Sequence, residues 1–426
     1  MDIGSHATAA WRDAAARCPK TMAHGPCAGV GADGACEVPG FGTCAFLDVA
    51  AVDWPYARTL GAAAPGSDGA AATSQERHPA VATFLAAAGT RPVVVADLPT
   101  APLSAASLLA SAATLAGAAD ACLLGDHGGA RVQFPPSYRA RLLADAGVPA
   151  WVGINCRDRN RVAIEGEIAA CLDAGAVAVH CVTGDHPALG HRPDAAAVFD
   201  LDSVGVVALT AAAAAGGGGA LCSVSHAPAT PPTDRRLARL LTKIDAGADV
   251  VFVDHCGGPG PVADAVGELR AAGFGGLVLA CVPVVTSAAS AAVVASFAGD
   301  RLPAGYLDRI TGGTAADWMP HANGHGPAVL TAAETAEIET AEIETAEIET
   351  AGIAEGTELA ERMLEIPGVD GVNLSGGAPP GQEVALAAAM AEIARRVLSA
   401  SGPPARRRSR GPAARVGTAV PGASGA

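Results

Sequence analysis

Aromatic residues are scarce: four Trp, three Tyr and eight Phe make up 4% of 426 residues. The core must therefore be packed from Val, Leu, Ile and Ala. Basic residues are also few, 28 Lys and Arg against 43 Asp and Glu, for a formal net charge of −15. That balance argues against nucleic acid and anionic membrane surfaces as main partners. No Gly-x-Gly-x-x-Gly follows the first apolar run, which weakens a doubly wound dinucleotide fold. No signal peptide is recognisable, so the 11 Cys are expected in a reducing, cytoplasmic setting and not in a disulfide framework. Charge is missing altogether from Ala271 to Gly299, a length that could span a bilayer. Gly273, Gly275, Gly276 and Pro283 punctuate that stretch, so it reads as a strand, a turn and an Ala-rich helix.

What is present from Arg91 onward is alternation. Apolar runs at Val93–Leu98, Ala121–Asp126, Ala150–Cys156, Ala176–Gly184, Ala220–His226, Asp249–His255, Gly276–Val282 and Gly371–Gly376 are separated by amphipathic segments. Eight strands with helix-length crossovers predict an α/β fold, a (β/α)8 TIM barrel, over residues 91–398. The seventh crossover is long and carries a Glu-Thr-Ala-Glu-Ile repeat through residues 334–350. A period of five places Ile338, Ile343 and Ile348 on different helix faces, so residues 318–351 read as a solvated acidic insertion, helical or disordered. Residues 61–90 read as an Ala-, Gly-, Ser- and Pro-rich linker, and 399–426 as a disordered basic tail.

Residues 1–60 hold Cys18, Cys27, Cys36 and Cys44, separated by eight, eight and seven residues among Gly and Pro turns. Four thiols on short turns can converge on one metal or cluster, and the spacing leaves zinc and iron–sulfur open. The other seven (Cys122, Cys156, Cys171, Cys181, Cys222, Cys256, Cys281) lie in or beside apolar runs and are expected to be small buried hydrophobes.

Catalytic groups of barrel enzymes sit at the C-terminal ends of strands. Asp97, Asp126, His127, Arg157, Asp158, Asp185, His186, Ser225, His226, Asp254 and His255 occupy those positions. Helix capping is the bland alternative for Asp126 and Asp158.

Cys156-Arg-Asp-Arg-Asn-Arg161, followed by a strand ending in Thr183-Gly184-Asp185, resembles the methylenetetrahydrofolate reductase family. Cys18-Pro-Lys…Gly25-Pro-Cys27…Gly34-Ala-Cys36-Glu-Val…Cys44 is similar to the Cys-rich domain that accompanies some of its members. The resemblance implies a flavin (FAD or FMN) across the barrel mouth, a folate substrate, and NAD(P)H or a ferredoxin-like electron donor. By it, Asp97 is the proton donor and Asp185 the carboxylate that binds the pterin near the flavin. Arg157, Asp158, Thr183, Gly184, His186, His226 and Lys243 are expected on the cofactor, with Lys243 on its phosphate, and Asp126 and Asp254 on the substrate. As the acid, Asp97 must hold a proton near neutral pH, with Asp185 and Asp254 its expected carboxylate neighbours. Departures fall on the folate and nicotinamide side: Val253-Asp254 stands for the usual Thr-Gln, Ala289 and Val293 for a Gln and a Phe, Gly153 for a His, and Thr183 for an Arg. A pterin-binding methyltransferase module and a degenerate barrel serving as a partner subunit are the alternatives, and a homo-oligomer is compatible with all three.

Overall fold

In a computed structural model, residues 8–50, 78–126, 130, 132–215, 219–298, 301–312 and 342–400 are described. Eight strands close a barrel in chain order: β1 Val93–Asp97, β2 Ala121–Leu124, β3 Ala150–Ile154, β4 Ala178–Cys181, β5 Leu221–His226, β6 Val250–Val253, β7 Leu277–Pro283 and β8 Gly371–Ser375. Every neighbouring pair is parallel, and β8 closes on β1 through Val93 opposite Gly371. The expected TIM barrel is therefore the observed fold. Its strands are buried on both faces, which is why they read as unbroken apolar runs rather than alternating ones.

Residue parity sorts each strand. Val94, Ala96, Val152, Val179, Val224 and Val251 pack outward into the helix layer. Val93, Val95, Leu123, Trp151, Phe252 and Leu279 fill the inside of the barrel. That layer is made by α3 Ala105–Leu115, α4 Pro136–Asp145, α5 Arg161–Asp173, α6 Ser203–Ala213, α7 Arg236–Asp245, α8 Pro259–Ala271, α9 Ala288–Ala298, α10 Tyr306–Thr311, α11 Glu342–Leu364 and α12 Glu383–Ala400. Two further helices precede β1: α1 Ala9–Arg17 and α2 Pro79–Thr90.

Two expectations about connecting segments need correction. The stretch expected as a linker ends in α2, which starts with Pro79 in its first turn, where a missing N–H is harmless. Val81, Phe84 and Ala88 of α2 are buried among the residues that begin the strands, and Phe84 meets Trp151 edge-on at 5.2 Å. A helix thus closes the N-terminal end of the barrel. The last repeats of the acidic insertion are helical, one of the two forms expected, but they are not wholly solvated. Residues 342–350 open α11, and Ile348 packs on the main core with Ala351 and Ile353. Gly352 lets α11 press against the Val285 carbonyl, a space that a Cβ would fill. Residues 51–77, His127, 313–341 and the tail 401–426 lie outside the described residues. No described helix is long and apolar enough to cross a membrane.

The N-terminal segment forms a lobe with its own small core of Trp11, Ala14, Met22, Val30, Phe46 and Val49. Trp11 donates to the Ala23 carbonyl at 3.0 Å and meets Phe46 edge-on at 5.1 Å. Beyond α1 the lobe is mostly turns, joined by isolated bridges Val30–Cys36 and Ala35–Thr43.

Candidate functional site

Asp97 ends β1 with its side chain on the inner face, partly buried at the C-terminal rim. Asn373 of β8 donates its amide to Asp97 Oδ1 at 3.2 Å. Burial raises the Asp97 carboxyl to about 7; the Asn373 amide and the Gly376 N–H pull it down, and Asp254 adds to the rise. Of the two carboxylates expected beside it, Asp254 is the one that acts on its titration. Cys281 of β7, nearly buried, shares this corner, its thiol pushed well up by burial and by Asp254 and Asp97. Alongside, His255 Nε2 and Ser375 Oγ are hydrogen-bonded at 3.0 Å.

Deeper in the barrel lies a polar chain that the strand pattern hides. Trp151 Nε1 donates to Ser223 Oγ at 2.8 Å, and His180 bridges Ser223 Oγ at 2.9 Å and Ser225 Oγ at 3.0 Å. Burial, with the Lys243 ammonium nearby, drops His180 to about 3, so the ring is neutral.

Across the mouth, Asp126 accepts from Asn155 Nδ2 at 2.7 Å and from Arg157 Nη1 at 2.8 Å. It therefore binds the β3 loop instead of capping a helix. Arg157 is 2% exposed and also faces Asp158 at 3.5 Å. Asp158 pairs more closely with Arg159, at 2.9 Å. Gly184, at φ +85, sits against the Asn155 side chain, where a Cβ would come within 2.8 Å. That contact fixes the Thr183-Gly184-Asp185 turn against the β3 loop. Thr183 Oγ1 accepts from the Ser203 N–H at 3.2 Å, so its hydroxyl anchors the start of α6. Asp185 lies in the electrostatic field of Arg157, Lys20 and Glu37.

The β5 sector is cationic. Arg236, Arg239 and Lys243 project from one stripe of α7 at a spacing that puts them on one face. Lys243 Nζ donates to the Ser225 carbonyl at 2.7 Å; burial and the two arginines bring it down to about 7. His226 is buried and dropped to about 3 by burial, Lys243 and Arg236. Asp202 answers the cluster: burial opposes its ionisation, yet Arg239 and His24 hold it well below the usual carboxylate range. Arg239 Nη1 is buried without a hydrogen-bond partner.

The N-terminal lobe docks on these same loops. Lys20 Nζ donates to the Gly184 carbonyl at 2.8 Å, Thr21 Oγ1 to the Phe199 carbonyl at 2.5 Å, and the His24 N–H to Asp202 at 2.9 Å. From the barrel, Arg236 Nη1 donates to the Cys27 carbonyl at 3.0 Å and Arg235 Nη1 to that of Val49 at 2.6 Å. Cys18, Cys27, Cys36 and Cys44 line one pocket with Lys20, Val30, Phe41 and Phe46. Burial raises the thiols of Cys18, Cys36 and Cys44, the last to about 11. Among the described residues no three His, Cys, Asp or Glu stand at the spacing of a single metal ion. The remaining seven cysteines are buried, as expected of small hydrophobes.

No family model matches the chain, and no curated protein matches it. Solved structures do. An uncharacterized protein from Clostridium thermocellum that binds two copies of 5-methyl-5,6,7,8-tetrahydrofolic acid aligns over 74% of this chain and 99% of its own, at 11% identity and a TM-score of 0.47. A 2,3-dimethylmalate lyase of the PEP mutase/isocitrate lyase superfamily aligns over 47% and 71%, at 16% identity and 0.35. Oxaloacetate acetylhydrolase aligns over 48% and 72%, at 14% identity and 0.36. Likenesses at these identities and TM-scores assign no activity.

The expected site residues thus separate into groups. Asp97 and Asp254 share one corner; Asp126, Arg157 and Asp158 form an ion-paired network; Gly184, Asp185 and His186 lie under the N-terminal lobe. Thr183, His226 and Lys243 are engaged inside the protein. Asn373 and Ser375 join the site from outside the expected set; their one sequence signal is Gly371-Val-Asn-Leu-Ser, which places two polar side chains on one face of a buried strand. Lys20 and Glu37 join it as well, each within two residues of a cysteine.

Proposed function

We propose that this protein is a flavin-dependent reductase acting on 5,10-methylenetetrahydrofolate or a close pterin relative, with the cysteine pocket holding a redox or structural metal group. The observation that carries the reading is Asp97, a carboxyl at the barrel mouth whose surroundings hold it near half-protonation at pH 7. Reduction of this substrate opens the bond between the bridging methylene carbon and a folate nitrogen. The nitrogen takes a proton and the carbon takes a hydride. Asp97 can hold that proton where a carboxyl with an ordinary pKa of about 3.9 could not.

The chain's charges fit the two groups that the motif resemblance implies. The unpartnered guanidinium nitrogen of Arg239, beside Lys243 and Arg236, suits the phosphate of a flavin. A bound flavin would supply the two-electron relay. Four thiols lining one pocket are a donor set for a thiolate-held cluster or for a tetrahedral zinc ion, whose sulfurs lie about 2.3 Å from the metal. Lys20 and Arg236 beside the pocket would offset the negative charge of a thiolate-held group.

A visible spectrum and metal content of anaerobically purified protein test the cofactors. Rapid mixing of reduced protein with methylenetetrahydrofolate tests the reaction. Reoxidation by the folate is expected; flavin that stays reduced in its presence overturns the assignment. One observation favours a second reading, a pterin-binding methyl-transfer module that needs no flavin: Lys243 is drawn inward onto the Ser225 carbonyl. Purified protein without a flavin absorbance band, yet binding methyltetrahydrofolate, would decide for it.

A further inference from the structure

We propose that Lys20 and Glu37 form a clamp that couples filling of the cysteine pocket to the geometry of the Gly184–Asp185 loop. The inference rests on the pocket's being a metal or cluster site and is independent of which substrate the barrel takes. Lys20 is 3% exposed and lines the pocket; Glu37 is 9% exposed, and the two are ion-paired. From that pair, one contact reaches each side of Asp185. Lys20 Nζ donates to the Gly184 carbonyl at 2.8 Å, and Glu37 Oε1 accepts from the His186 N–H at 3.0 Å. In sequence, Lys20 is two residues from Cys18, and Glu37 directly follows Cys36. Any shift of those two cysteines on taking up a metal is therefore passed to the residues that flank Asp185.

A second, independent feature marks the same contact. Among the described residues, the non-glycine positions with left-handed backbone are Thr21 at φ 45 and Phe199 at φ 39. They meet each other, with Thr21 Oγ1 donating to the Phe199 carbonyl at 2.5 Å. Lys20 Nζ lies 5.8 Å from the centre of the Phe199 ring, and the His186 ring stacks on it at 6.0 Å. Backbone strain survives only where surroundings over-determine it. Two strained residues in one contact thus indicate a junction held tightly in place. A loaded tetrathiolate site adds negative charge beside the Lys20 ammonium, which fixes that side chain in place and with it the contacts to Glu37 and the Gly184 carbonyl. Linkage makes the coupling reciprocal: whatever factor pocket filling applies to binding at the Asp185 loop, binding there applies to pocket filling.

The test uses the full chain, stripped by chelator under anaerobic reducing conditions and refilled with ferrous iron and sulfide, or with zinc. Amide hydrogen exchange over residues 182–190 is the primary readout. Filling is expected to slow exchange there by about fivefold or more, the lower end of typical coupling factors. Lys20→Met should abolish the difference and Glu37→Gln should shrink it. Thr21→Ala, which loosens docking but leaves the ion pair, should retain it. Exchange that ignores filling, an equal difference in Lys20→Met, or a chain that takes up neither iron nor zinc overturns the clamp. If Lys20→Met does not fold, as judged by circular dichroism, Glu37→Gln decides, and an undiminished difference in that variant overturns the proposal. FAD affinity is the second readout, expected to tighten on filling. A chain that keeps the exchange difference but never binds FAD loses the flavin reading and leaves the clamp standing.

Discussion

A carboxyl that keeps its proton into the neutral range has consequences for both rate and stability. Asp97 is raised to about 7, against about 3.9 for an unfolded chain. A raised carboxyl favours the folded state while protonated, below the unfolded pKa. That advantage is lost as pH climbs through the window from about 4 to about 7. Asp97→Asn should therefore raise the melting temperature at pH 8, leave it unchanged at pH 4, and gain about 1–2 kcal/mol after allowing for solvent screening. Calorimetry at the two pH values checks this; equal shifts at both would mean that the residue is not the titrating group. In the proposed reaction the same variant should bind flavin normally and lose folate-dependent reoxidation. In the unmodified protein that half-reaction should slow as pH rises past about 7.

At the scale of elements, two helices do more than the sequence implied. Phe84 of α2 is 2% exposed and sits between the strand starts and Trp151. Phe84→Ala should cost about 3–5 kcal/mol, the usual range for a buried phenylalanine, measured by denaturant unfolding. Ile348 is only partly buried on the core, so Ile348→Ala should cost about 1 kcal/mol, less than a full core truncation. Deleting residues 334–350 should then destabilise by more than deleting 334–341 alone, because only the longer deletion removes Ile348. The eight strands were readable because a strand buried on both faces writes a solid apolar run of fixed length. The α2 helix was not, because Ala-rich helices bury a stripe that differs little in polarity from its surroundings, and neighbouring Pro, Gly and Ser hide its start. The Asp97 corner was half readable. Position at a strand end located Asp97 and Asp254, but Asn373 comes from the far end of the chain, and only barrel closure brings it to Asp97.

At the scale of the whole molecule, the barrel has a different closure at each end. The α2 helix seals the N-terminal end with apolar side chains, while the Cys-rich lobe sits on the segments after β4 and β5 through carbonyls, carboxylates and cations. Removing residues 8–50 should uncover Arg236, Arg239 and Asp202 without touching the apolar core. The truncated chain should keep its far-ultraviolet dichroism, melt at lower temperature, and lose that deficit in part when phosphate is added to pair with the uncovered arginines. A truncated chain as stable as the full one would mean that the lobe is a passenger.

The position of that lobe in the chain has a consequence for synthesis. Its cysteines leave the ribosome first, whereas the groups that receive it, Gly184, Phe199, Asp202, Arg236 and Arg301, follow much later. At about 5–20 residues per second, the four thiols wait on the order of ten seconds to a minute before their cover exists. Any metal insertion or oxidative damage at the quartet thus competes with translation, and slowing the ribosome within the barrel region lengthens the interval in which the thiols stand open.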